Sequence, residues 1–171
     1  MSTATQTMDA ATSAATIRDF LATAVEGEFA ATKKVLTALK PGDWRPDPKS
    51  RSAKELAWHL VASEIWFLNG IASQDFTPAD EKAAMPDSLE GILAYYETEY
   101  PKALARVRQI PPQQMAGIAD FYGMKLPNTT LLGFALVHSV HHRAQLSTYL
   151  RPLGSKCPDI YGGSADFPWQ G

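Results

Sequence analysis

The chain has almost nothing with which to cross-link itself. One residue in 171, Cys157, is a cysteine, so no disulfide can close within it. That matches a reducing compartment. An excess of positive charge is also missing: Asp and Glu outnumber Lys and Arg by 18 to 16, a formal net charge of -2. No broad basic field is available to neutralise phosphates, so nucleic acid is not an expected partner. No apolar run approaches the length of a membrane span, so a membrane is not expected either. The opening MSTATQTMDAATSAAT lacks the basic start and apolar stretch of a secretory leader, which makes the cytoplasm the expected location. What is present is ordinary for a globular protein, 45% hydrophobic and 20% charged, in a length that suits one domain with one core.

Four stretches carry the spacing of helices. Residues 1–15 read as a flexible N-terminal arm or a frayed helical extension, with a single domain over 16–171. In the first helix Leu21, Val25, Phe29, Thr32, Leu36 and Leu39 alternate by three and four, and Pro41-Gly42 ends it. Ser52 and Glu55 have capping-box spacing at the head of the second helix. That helix, through ELAWHLVASEIWFLNGI, is apolar on nearly every side. Such a helix is buried on more than one side, and a homodimer would supply the second partner. Gly70 to Pro86 is a long polar crossover connection. Asp87 and Glu90 repeat the capping-box spacing before a third helix, whose apolar stripe continues on both sides of Pro101, as in a kinked helix. Pro111-Pro112 stops it. Residues 111–128 read as a short hairpin or an irregular loop around Gly123. Asn128 or Thr129 caps the fourth helix, and the aromatics of the tail, Tyr161, Phe167 and Trp169, are expected to dock it on the bundle. The fold class is therefore all-α: a four-helix bundle with a long connection between helices 2 and 3 and a docked C-terminal tail.

Four histidines are the only residues whose pattern suggests chemistry. His138 and His142 are four apart on the fourth helix, about 40° apart on one face, the arrangement by which one helix gives two imidazoles to one ion. No Glu follows His138, so the protease pattern is absent. His141 lies about 60° to the side of His138 and is expected to miss that ion. His59 is the lone histidine of the second helix and can meet the fourth at the same depth. Three imidazoles from two facing helices would make a metal site within the bundle with positions open for water or substrate. The alternative is three core histidines that satisfy hydrogen bonds. Nitrogen-only ligation suits zinc or nickel, with iron or copper as further candidates, over magnesium or calcium.

The segment HSVHHRAQLSTYLRPLG, followed by CPDIYGGSAD, resembles the closing signature of the DinB-like, YfiT-like superfamily of bacterial metal-binding four-helix bundles, and His59 in ELAWHLVASEIWFLNGI falls where that family places its second-helix ligand. The resemblance runs from about Ile17 to Asp166; Ala144 stands where the family often has Gly. It implies His59, His138 and His142 as the metal ligands. It also implies a thiol transferase or isomerase that uses a low-molecular-weight thiol, with a metal-held thiolate attacking an electrophile. Hydrolysis by metal-bound hydroxide comes second.

Around that site, Gln145 is expected to point into the same cavity as His142, Trp66 to wall it two turns beyond His59, and Tyr96 to face it from the third helix. Arg143 should miss the ion and pin the tail through Asp159 or Asp166. Cys157 has no activating neighbour and reads as inert. Two rival functions stay open: a non-catalytic metal or small-ligand binding module, because no Glu or Asp stands beside the histidines, and a structural dimer with core histidines.

Overall fold

The computed structural model describes residues 3–78, 80 and 82–169, with side chains from Asp9 onward. It contains α1 (Thr3–Ala38), α2 (Ala53–Ser73), α3 (Leu89–Arg108), the single turn α4 (Pro112–Met115), strands β1 (Ile118–Phe121) and β2 (Met124–Pro127), and α5 (Asn128–Leu150). α2 packs against α3 and α5, and α1 packs against the same two from the other side. The four long helices thus close a ring around one core, the all-α bundle expected. Leu60, Leu68, Ile71, Ile92, Leu131 and Leu146 fill it. Each contributes about 1.5–3 kcal/mol by leaving water.

α1 is longer than its apolar stripe announces. It continues back through the expected arm to Thr3, and Ala11 and Ala14 are buried. Small side chains there let the extension lie against its neighbours without a bulky apolar signal. Residues 1 and 2 of the arm, and 170 and 171 of the tail, lie outside the described residues.

Helix starts follow local chemistry, with two differences from expectation. Ser52 and Glu55 do form a capping box: Glu55 N–H donates to Ser52 Oγ at 3.3 Å and Ser52 N–H to Glu55 Oε2 at 2.7 Å. α3, however, is capped by Ser88 and not Asp87; Ser88 Oγ accepts from Gly91 N–H at 3.0 Å. α5 has no side-chain cap. It starts behind Pro127, and Asn128 turns its amide to Gln74 and to the Gln114 carbonyl instead. That ties the start of α5 to the end of α2. Pro101 sits inside a continuous α3.

Between α3 and α5 the chain forms the hairpin and not the loop. β1 and β2 pair antiparallel, with Phe121 opposite Met124. The two-residue turn places both Tyr122 (φ 54°) and Gly123 (φ 81°) in the left-handed region, as a type I′ turn requires. Asp120 Oδ1 accepts from Gly123 N–H at 2.7 Å, and Lys125 pairs with Asp120 across the strands. Pro112, expected only as a stop, also begins α4, where its missing N–H costs nothing.

The apolar excess of α2 is absorbed within one chain. Trp66 and Phe67 pack against Phe121 of the hairpin, and Trp66 Nε1 donates to the Thr77 carbonyl at 2.9 Å. In the connection to α3, Phe76 and Thr77 fold back onto Trp66. At Gly70 a Cβ would stand 2.6 Å from the Phe76 ring, so glycine there lets the connection fold back tightly.

The tail docks by polar contacts. Its aromatic rings stay largely exposed: Tyr161 is 71% and Trp169 76% accessible. Arg143 is 2% accessible and pairs with Glu28 of α1, not with Asp159 or Asp166. It donates to the Tyr161 hydroxyl, which in turn donates to Glu28. Asp159 pairs with Lys34, and Asp166 with Arg151 at 3.0 Å. The pinning role expected of Arg143 holds, but through the Tyr161 hydroxyl.

Arg143→Ala would leave Glu28 without its buried cation. We expect an unfolding free energy lower by about 3 kcal/mol in urea melts, with faster proteolysis near Tyr161. Pairing Arg143→Met with Glu28→Gln should restore most of the loss. An unchanged melt in the single variant would contradict this account.

Candidate metal centre

On α5 the buried positions Leu131, Leu132, Ala135, Ser139, Arg143, Leu146 and Leu150 follow the helical period and face the core. His138 and His142 each precede a buried position by one residue, which rotates them about 100° off the core axis. α2 repeats this logic. His59, Ala62, Trp66 and Asn69 are spaced by three and four, and all are half-buried. Two half-buried stripes therefore face one another along the α2–α5 edge, beneath the hairpin and the 74–88 connection. The histidines meet there, at the edge of the bundle and not in its core.

His59, His138 and His142 each offer one ring nitrogen such that all three lie within 4.8 Å of one another, an arrangement that could hold a metal ion. The ring centroids are 4.4 Å apart for His138–His142, 4.6 Å for His59–His142 and 5.7 Å for His59–His138. Tetrahedral ligation needs about 3.4 Å between nitrogens, so small ring rotations would close the set. Nδ1 of His138 is buried with no hydrogen-bond partner, an unusual state for a buried polar atom and one that a bound group would relieve. His141 is exposed and, although its ring is 4.9 Å from that of His142, lies outside the convergent set.

Electrostatics favours the neutral form of the two α5 rings. Burial, and then the neighbouring His142 and His59, push His138 down to about 4. Burial also lowers His142, against the hydrogen bond it makes to Gln145 Oε1. Rings that stay neutral at physiological pH keep a lone pair for a metal. Gln145 does not line the cleft beside His59 and His138; it is exposed and its Oε1 lies 2.7 Å from His142 Nδ1. When Nδ1–H donates there, Nε2 holds the lone pair, the usual role of a residue behind a metal-bound imidazole.

The centre opens on a cleft between α2, α3 and the hairpin, with Trp58, Trp66, Tyr95, Phe121 and Tyr122 in its walls beside His59 and His138. Trp66 walls it as expected. Tyr96 does not: it is fully buried and donates to Glu64 in the core. The preceding residue, Tyr95, reaches the cleft instead. The apolar spacing of the third helix marked Tyr96 correctly as inward, but inward is away from the histidines.

Glu64 was not visible as a special residue. It is completely buried, accepts from Tyr96 and from Ser139, and so links α2, α3 and α5. Burial raises its carboxyl to about 7, against the two hydrogen bonds and the Arg143 charge. A Glu within ASEIWFL reads as a solvated break in an apolar helix; only its partners on two other helices identify it.

The sequence profile of the DinB family matches residues 11–169. Two curated relatives, both from Bacillus subtilis, are described as uncharacterized. YrdA is 29% identical over 140 residues, covering 80% of this chain and 83% of its own. YjoA is 30% identical over 114 residues, covering 65% and 73%. Two solved structures share the fold, each with a TM-score of 0.67. One is a DinB-like protein from Bacillus cereus, 23% identical over 78% of this chain and 91% of that one. The other is the DinB-like YjoA, 22% identical over 82% and 96%.

A carboxyl raised in the folded state holds its proton more tightly than in the unfolded chain. The stability contributed by Glu64 is complete below about pH 4.5 and is lost as the pH climbs through about 7. Urea unfolding of chelator-treated wild type and Glu64→Gln should therefore diverge with pH. The variant gains about 3 kcal/mol relative to wild type between pH 4 and 8. A pH-independent difference would show that Glu64 is not held protonated.

Proposed function

Because the chain belongs to the DinB family, we propose that His59, His138 and His142 bind one divalent transition-metal ion, zinc or nickel before iron or copper, and that the protein is a metal-dependent enzyme acting on a small molecule by thiol S-transfer. The observation that carries this reading is the convergence of three imidazole nitrogens beside an aromatic cleft, with a buried ring nitrogen of His138 that has no hydrogen-bond partner. Core histidines serving only structure would have hydrogen-bond acceptors built around them, and for His138 Nδ1 there is none among the described residues.

Bound there, the ion would lower the pKa of a thiol or polarise a carbonyl. The chain's own residues do the rest. Three protein nitrogens leave further coordination positions open toward the cleft. Gln145 holds the His142 ring in one tautomer. Trp58, Trp66, Tyr95 and Phe121 exclude water and accept an apolar reactant. A second reading, a metal or small-ligand binding module without turnover, is favoured by one observation. Among the described residues, no Asp, Glu or Lys lines that cleft to serve as general acid or base. The same observation weighs against a hydrolase.

Purified protein reconstituted with zinc or nickel should carry about one equivalent by elemental analysis, and saturating metal at 100 times its Kd should stabilise the fold by about 2.7 kcal/mol. His138→Ala and His59→Ala should each abolish uptake. Well under one equivalent in the wild type would end the metal reading. Gln145→Ala should retain stoichiometry but bind about 10–100-fold more weakly in competition with a chromophoric chelator. Turnover of thiol donors with electrophilic acceptors, present in the loaded wild type and absent in His138→Ala, would separate the enzyme from the binding module.

A further inference from the structure

Next to the aromatic cleft, and sharing Trp58 with it, lies a second one of opposite character. Arg45, Lys49, Arg51 and Lys82 line it, with Glu55 the one acidic side chain among the described lining residues. A concentration of cations is unexpected on a chain whose formal net charge is -2. Glu55 offsets it only in part. Its carboxylate is committed to the capping box, accepting the Ser52 N–H at 2.7 Å, and stands 3.7 Å from Arg45. All four cations are solvent-exposed at their residues, so this is an accessible field and not a set of internal ion pairs.

Two observations place this field at the metal centre. Gln145, which holds His142, is part of its wall, and Trp58 belongs to the walls of both clefts. An aromatic slot with no charged side chain among its described lining residues thus adjoins, at Trp58, a cationic one whose wall includes the partner of His142. A ligand that fills both must be apolar at one end and anionic at the other.

We propose that the cationic cleft is an anion subsite, and that the substrate is a small amphipathic organic anion whose apolar body lies along Tyr95 and Trp66 while its carboxylate or equivalent group lies against Arg45 and Arg51. This rests on the metal reading for its place beside a reacting centre, but the subsite itself needs no metal. Arginine is suited to the task because its planar fork meets a carboxylate with two parallel hydrogen bonds. Flanking lysines add field and draw the anion in.

Titration calorimetry with 4-phenylbutanoate and its uncharged amide tests this on the full chain, once after chelator treatment and once loaded with zinc. In low salt the chelator-treated protein should bind the acid about tenfold more tightly than the amide, and 0.5 M sodium chloride should narrow that gap. The double variant Arg45→Gln, Arg51→Gln should lose the gap while keeping the amide affinity. Tyr95→Ala should weaken both ligands alike. Equal affinity for acid and amide in the wild type, no measurable binding of the acid at millimolar concentration, or a gap that survives in the double variant would each overturn the proposal. A protein that takes up no zinc but keeps the gap refutes the metal reading and supports the subsite. Zinc uptake without the gap does the reverse.

Discussion

Glu64 sets how three helices are rotated about their axes. Its carboxyl takes hydrogen bonds from Ser139 on α5 and from Tyr96 on α3, deep in the core and out of reach of water. Apolar packing alone tolerates small rotations of a helix, because one methyl replaces another at little cost. A buried polar network does not, since a turned helix leaves a desolvated carboxyl without partners. Ser139 adjoins His138, and Glu64 lies five residues beyond His59. Holding Glu64 and Ser139 face to face in the core therefore holds the two histidine stripes face to face at the edge.

The site gains its character from that edge position. In the core, three imidazoles would be enclosed and closed to substrate. Fully outside, they would be charged in mild acid and free to turn. Half-buried between α2 and α5, His138 and His142 lose enough water to favour the neutral ring, while His59 and His138 still open on space. The hairpin and the 74–88 connection complete the arrangement by covering Trp66 and Phe67. Those large side chains would otherwise be an exposed apolar patch. Their coverage also accounts for the all-round apolarity of α2 without a second subunit.

Polar contacts do for the tail what its aromatic content suggested burial would do. Arg143, Glu28 and Tyr161 link α5, α1 and the tail through one desolvated guanidinium, while the Phe167 and Trp169 rings remain exposed. With Glu64, this makes two buried charged or titratable groups that connect helices distant in sequence. Both lie on the inward face of their helices, one turn or so from a histidine on the flank.

By itself the sequence determined the number of the long helices, the capping box at Ser52, and the pairing of His138 with His142 on one helix face. All of these are set within one turn or two of a single helix, where a period of 3.6 residues fixes which side chains share a face. The tertiary structure alone decided which face meets which. It placed Tyr95 and not Tyr96 at the cleft, gave Arg143 to Glu28, made Glu64 a core residue, and put a cationic cleft beside the histidines from loop and helix positions far apart in the chain. Periodicity states that a residue points inward; it carries no information on what stands opposite, because that depends on the rotation and order of helices joined by long connections.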